Sequence, residues 1–209
     1  MIGLIIQNIH WPLPFWFWPV PYGLPFWLIL IATTLSERGI QIRGVALAEE
    51  NGSLDKGSLR RIVFVTRSIR LLAAAASFAV PPWSMGVGLL IPYTSGLCMM
   101  ICGSLLRQYC FRLLGASFTG AVAVPAGGKV IEKGIYRWVR HPSYTGGALY
   151  LLGIGTALTN WASLAIMAGG VVYMYLYRVH VEERALSAAL GNEYRQYMAR
   201  TKRFIPLLF

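Results

Sequence analysis

The chain has 209 residues, 56% of them apolar and only 13% charged, with a mean hydropathy of +0.54 and a formal charge of +11. Soluble domains carry about one quarter charged residues, so this composition speaks against an ordinary soluble domain. The basic excess reads as a topology bias, because Lys and Arg collect in cytoplasmic loops, rather than as a nucleic-acid surface.

Residues 1–36, 71–106 and 142–177 contain no Lys, Arg, Asp or Glu. An apolar helix needs about 20 residues to cross the hydrocarbon, and a charge placed there is expensive. The first stretch opens with the head WPLPFWFWPVPYGLP, Trp11 to Pro25, which is too rich in proline for a helix interior. Its Trp and Tyr rings suit the headgroup region. It lacks the basic start of a cleavable signal peptide. Span one is then a short one, Phe26 to Leu35, followed by a polar loop from Ser36 to Arg61. Span two is expected from Ile62 to Val80, with Arg67 and Arg70 near its start able to snorkel. Pro81-Pro82-Trp83 forms a turn, and span three runs from Met85 to Leu106 with a kink at Pro92. Cys98 and Cys102 on this span and Cys110 near its end are expected to pack, with no disulfide framework.

The third charge-free stretch holds a hairpin of two helices, Tyr144–Thr159 and Trp161–Tyr177, broken at Asn160-Trp161. One long tilted helix is the alternative, about 50 Å for its 34 residues. Gly147, Gly153, Gly155, Gly169 and Gly170 would let the backbones of this hairpin approach closely. All 19 basic residues then fall on one side if the N-terminus is outside and the C-terminus cytoplasmic. The expected fold is therefore an all-α polytopic membrane protein of about five transmembrane helices. Residues 1–106 form an N-terminal region of three spans. Residues 107–209 carry the hairpin, a cytoplasmic tail and a pocket at the cytoplasmic interface.

Chemistry-bearing residues flank that hairpin. Before it, GGKVIEKGIYRWVRHPSYTGG (127–147) contains Arg140-His141-Pro142, where Pro142 suits a first helical turn and His141 lies beside exposed helix amides. Headgroup anchoring by Arg140 and simple capping by His141 explain the same residues equally well. After the hairpin, Arg178 and Glu182 are four apart and share a helical face. They form either a plain intrahelical ion pair or a cation and anion presented to a zwitterionic ligand. Glu183 points about 100° away from Glu182. Leu186, Leu190, Tyr194 and Tyr197 recur at helical spacing as a packing stripe, and Gly191 marks a bend. No nucleophile-base-acid triad or metal cluster is visible. A transfer from a highly activated donor needs mainly two aligned pockets.

At these residues the chain resembles the isoprenylcysteine carboxyl methyltransferase family, within a wider group of small membrane methyltransferases that includes phospholipid N-methyltransferases. The resemblance covers about 107–209 and is strongest in KVIEKGIYRWVRHPSYTGG and RVHVEERAL…GNEYRQYMARTKRFIP. The stretch RQYCFRLLGASFTG is also family-like, with Tyr109 near an often-found tryptophan. The resemblance implies S-adenosylmethionine as cofactor. Gly128, Lys129, Val130 and Ile131 match the strip that wraps it, and Tyr136, Arg140, His141, Pro142, Ser143 and Tyr144 the next part of its wall. Glu182 matches the group that holds the cofactor's amino end, and Arg178 the one that orients the acceptor carboxylate. Family members often carry histidine where this chain has Gly128.

The expected acceptor is the carboxylate of an isoprenylated or similarly lipid-modified cysteine, entering sideways from the bilayer among membrane lipids. A carboxylate is ionised at neutral pH and needs no general base. An amine acceptor would need one, with Glu183 or His141 as candidates; thiols and phospholipids are further alternatives. A membrane reductase is disfavoured by the lack of a Gly-x-Gly-x-x-Gly fingerprint. A non-enzymatic scaffold or transport subunit is the rival of a different class. A homo-oligomer is compatible with the apolar faces but not demanded by them.

Overall fold

The computed structural model describes residues 22–50, 58–79, 89–115 and 129–204. The aromatic head up to residue 21, the Pro81-Pro82-Trp83 turn and Gly127-Gly128 lie outside the described residues. Among the described residues six α-helices follow in order: α1 Gly23–Glu50, α2 Ser58–Ala79, α3 Leu90–Leu114, α4 Pro142–Ala157, α5 Trp161–Leu190 and α6 Asn192–Arg200. A 3-10 turn, Gly134–Arg137, precedes α4. Among the described residues the β geometry is a single parallel bridge between Val139 and Lys202.

Among the described residues three helices are long and apolar enough to cross a bilayer: Arg60–Ala79 within α2, then α3 and α5. The apolar part of α1 is shorter, Gly23–Ser36. Helix α4 has 16 residues, about 24 Å at 1.5 Å per residue. Large apolar side chains face outward, including Phe64 (72% exposed), Leu71 (73%) and Tyr173 (64%). Lipid, rather than water, is the solvent that suits such faces.

Two expectations about element ends are corrected. Helix α1 runs through Ser36 to Glu50 instead of giving way to a loop. Charge ends an apolar stretch but not a helix, and SERGIQIRGVALAEE contains no proline. Helix α3 begins at Leu90 and reaches Leu114, so Arg107 and Arg112 lie on it and position 106 falls in mid-helix. Pro92 therefore sits in the first turn, where its missing N–H breaks no intrahelical bond, instead of within the span.

The break in the third charge-free stretch lies where the sequence places it. Asn160 caps α5, its side chain accepting from the amides of Ala162 (2.9 Å) and Ser163 (3.2 Å). The Ser163 hydroxyl then donates to the Ala73 carbonyl at 2.7 Å and ties this corner to α2. A core of Phe26, Ile69, Met100, Leu151, Met167, Val171 and Met174 joins α1 to α5.

Close backbone approach occurs mainly between α3 and α4, which share the most extensive helix contact. Gly96 lies over Gly153 and Gly103 over Gly146, each pair member seven residues from the next on its own helix. A Cβ on Gly96 would meet Ala157 N at 2.4 Å, and one on Gly153 would meet Met100 N at 2.7 Å. The expected glycine contact within the α4–α5 hairpin is realised at Gly155, against Leu164 and Met167, and at Gly147, against the Tyr175 side chain. Gly169 meets nothing, and Gly170 faces Ile69 of α2. Cys110 is buried, whereas Cys98 and Cys102 are exposed and do not pack inside the protein.

Candidate functional site

The site forms where three stretches meet: residues 129–144, the extension of α5 beyond Tyr177, and the segment around α6. Pro142 opens α4 at its first turn, as its missing N–H and fixed φ favour. This puts Tyr144 two residues further into α4, facing α5. The ring of Tyr144 stacks between His141 (centroids 5.5 Å apart) and Tyr175 (5.1 Å). Its hydroxyl accepts from Arg178 Nε at 3.1 Å and donates to Glu182 Oε2 at 2.5 Å. The two helix-face residues singled out from spacing are thus joined through a third. Arg178 is 3% exposed, while the Glu182 side chain keeps 27% of its surface.

Glu183 has a different set of partners. Arg140 Nε and Arg203 Nη2 donate to its two oxygens at 3.0 Å each, and His141 Nε2 lies 3.3 Å from Oε1. Arg140 also donates through Nη1 to the carbonyls of Met198 (3.0 Å) and Thr201. The expectation of Arg140 as a cofactor-wall residue gains a structural reading: its guanidinium fastens the segment after α6. Glu183, once a candidate base for an amine acceptor, has its carboxylate held by two cations and an imidazole.

Residues 201–204 lie along 138–141 as a strap. Arg140 N donates to Lys202 O (2.8 Å), His141 N to Arg203 O (2.9 Å) and Lys202 N to Trp138 O (2.9 Å). The Thr145 hydroxyl adds a bond to Phe204 O at 2.8 Å. Gly191, at φ +57, turns the chain from α5 into α6, as its position suggested. Tyr194 and Tyr197 of the expected packing stripe are each 3% exposed. The Tyr197 hydroxyl donates to the Tyr136 carbonyl at 2.7 Å.

Gly128 lies outside the described residues. Lys129 is exposed, and Val130 and Ile131 are partly buried. The Val130 amide donates to Glu193 Oε1 at 3.0 Å, which holds this strip against α6. Ser143 contributes its carbonyl, which accepts from Arg107 Nη1 at 3.2 Å. Tyr136 is 6% exposed, and its hydroxyl has no hydrogen-bond partner among the described residues. Burial, followed by the Cys110 thiol and then the charge of Glu182, pushes its pKa well above the usual phenol value. Burial likewise raises Tyr194 and Tyr197. These phenols stay protonated.

Sequence reasoning missed Arg107, Glu193 and Arg203 as parts of this assembly. Arg107 read as a loop charge, although RQYCFRLL continues the preceding helix without a breaker. Glu193 and Arg203 act across some 20 to 60 residues, and no local pattern marks that pairing.

Comparison with known proteins converges on the same stretch. Residues 96–188 match the isoprenylcysteine carboxyl methyltransferase (ICMT) family. Protein-S-isoprenylcysteine O-methyltransferase B of Arabidopsis thaliana is 30% identical over 115 residues, 54% of this chain and 58% of that protein. The protein-S-isoprenylcysteine O-methyltransferase of Schizosaccharomyces pombe is 32% identical over 117 residues, 55% of this chain and 50% of its own. The chain thus spans about half the length of these relatives. A solved structure of the eukaryotic intramembrane Ras methyltransferase ICMT superposes with a TM-score of 0.56 at 22% identity. It covers 71% of this chain and 53% of its own, a likeness of fold.

Proposed function

We propose that this integral membrane protein is an S-adenosylmethionine-dependent methyltransferase that esterifies the carboxylate of a lipid-modified, isoprenyl-type cysteine. The observation that carries the reading is the Arg178–Tyr144–Glu182 network, which lies within the stretch matching the methyltransferase family. The chain brings a buried cation for an anionic acceptor within one hydroxyl of a partly open carboxylate for an ammonium.

The residues present fit the cofactor. Glu182 offers a carboxylate to its amino group, Lys129, Val130 and Ile131 a flanking strip, and the Tyr136 hydroxyl, which has no hydrogen-bond partner among the described residues, a buried donor. When bound, S-adenosylmethionine supplies an electrophilic methyl group on a sulfonium. Arg178, almost fully desolvated, would hold one oxygen of the acceptor carboxylate and leave the other to form the new C–O bond as the methyl–sulfur bond breaks. No proton needs to move, since the acceptor is already an anion. Burial around Arg178 and Tyr175 would exclude water and strengthen this pairing.

A phospholipid amine would need a base. The engagement of Glu183 and His141 with each other and with Arg140 and Arg203 favours the carboxylate acceptor over that alternative. In the topology we favour, α1 and α4 complete five spans, the N-terminus is outside, and the site opens on the cytoplasmic face.

The test is calorimetric titration of detergent-purified protein with S-adenosylhomocysteine, followed by methyl transfer to a farnesylated cysteine. Saturable binding that Glu182→Ala loses, with transfer to the free carboxyl and none to its amide, is expected. Folded protein that binds no S-adenosylhomocysteine would overturn the reading.

A further inference from the structure

We propose that the cleft formed by the strap and the end of α6 binds the phosphate of an anionic phospholipid headgroup. This goes beyond the proposed methyl transfer and does not depend on it.

The cleft has a volume of about 370 Å³ and is lined by Arg140 and residues 198–203. Four of its lining residues, Arg140, Arg200, Lys202 and Arg203, are cations, and none is acidic. Among the described residues these cations pair with two carboxylates, Glu183 with Arg140 and Arg203, and Glu132 with Arg200. The cleft therefore keeps an excess of positive charge, and a concave surface of one sign concentrates the opposite ion. Tyr144, Arg178 and Glu182 do not line it, so it is separate from the network assigned to methyl transfer.

The local fold explains how so many cations come together. Helix α6 ends at Arg200, and Thr201 leaves it in extended geometry, at φ -119 and ψ 155. Lys202 then bridges to Val139 through the backbone, which leaves its side chain exposed. Arg203 keeps 45% of its side-chain surface exposed while Nη2 holds Glu183, and Arg200 keeps 58%. A guanidinium has five N–H donors, so one ion pair does not exhaust it. The carbonyls at the end of a helix would repel an anion. Here those of Met198 and Thr201 already accept from Arg140.

The setting points to a lipid phosphate. Trp138, 61% exposed, accepts from Lys202 N through its carbonyl and so stands beside the strap. Exposed indole rings settle among headgroups. The charge-free helix α4 begins only four residues later, at Pro142. Cations at that level meet anionic headgroups, and guanidinium groups pair well with phosphate.

The test is titration of the detergent-purified full chain with dioctanoyl phosphatidylglycerol, dioctanoyl phosphatidylcholine or inorganic phosphate, read as melting temperature. The glycerol lipid should raise it saturably, less so at high salt, and the zwitterionic choline lipid and inorganic phosphate should not. Arg200→Gln combined with Lys202→Gln should weaken the glycerol lipid about 30-fold, at about fivefold for each cation removed. Both side chains are exposed, so the lipid-free variant should melt close to wild type. Arg200→Lys with Lys202→Arg, which keeps both charges, should retain most of the affinity. A choline lipid as effective as the glycerol lipid, wild-type affinity in the glutamine variant, or an equal loss in the charge-keeping variant would each overturn the proposal. An equal response to inorganic phosphate would make the cleft a site for a free anion and overturn the assignment to a headgroup.

Discussion

The hydroxyl of Tyr144 stands 2.5 Å from Glu182 Oε2 while accepting from Arg178 at 3.1 Å, so one neutral group bridges the two charges of the candidate site. The bridge crosses from α4 to α5, and its ring is held on both faces by His141 and Tyr175. Tyr144→Phe therefore keeps the stacked ring and removes only the bridge. We expect kcat/KM for a farnesylated-cysteine acceptor to drop about 10- to 100-fold, as for loss of a hydrogen bond to a charge, with little change in melting temperature. Steady-state kinetics beside a thermal melt check both halves.

Arg178→Lys keeps the charge but removes the planar fork. Its expected effect falls on the acceptor: a raised KM for the lipid-modified cysteine, with S-adenosylhomocysteine affinity close to wild type. A variant that lost cofactor binding instead would place Arg178 on the other substrate.

Glu183→Gln should damage stability more than Glu182→Gln. The first removes the charge partner of Arg140, whose side chain is 9% exposed. Breaking such a buried pair costs about 3–5 kcal/mol. Glu182 has 27% of its side chain exposed, so its loss should appear in binding rather than in the melt. Thermal unfolding of the two variants in detergent gives the ranking directly.

The α3–α4 seam predicts a contrast between glycines. Gly153→Ala would drive a Cβ into the backbone at Met100 N (2.7 Å) and Gly96 O (2.8 Å), so the helices must separate. Gly169→Ala meets nothing and should be neutral or stabilise the helix by up to about 1 kcal/mol. Folded yield and melting temperature should fall sharply for the first and not for the second.

Much of this arrangement is legible locally. Asn160 announces its cap because the bonds it accepts come from residues two and three further on. Arg178 and Glu182 share a face by helical spacing alone, and Gly191 turns the chain where a glycine interrupts the tail's helical stripe. Charge distribution marked the apolar stretches but misjudged helix ends: α1 continues past Ser36 and α3 past Leu106, since polarity and helix termination are different properties. Tyr144 entered through the resemblance, yet its bridging role needs the relative rotation of α4 and α5. The assignment of Arg140 to Glu183 and to the carbonyls of the strap depends on contacts 43 to 61 residues apart, beyond any local pattern.

The strap also imposes an order of manufacture. Arg140 and Thr201 are separated by 61 residues, which a ribosome adds in roughly 3–12 s at about 5–20 residues per second. For that interval α4 and then α5 are already emerging, while the segment bearing Arg140 and His141 still lacks the carbonyls that will fasten it. Helix insertion can therefore precede completion of the candidate site, so that a newly made chain can be seated in the bilayer before the residues of that site are brought together.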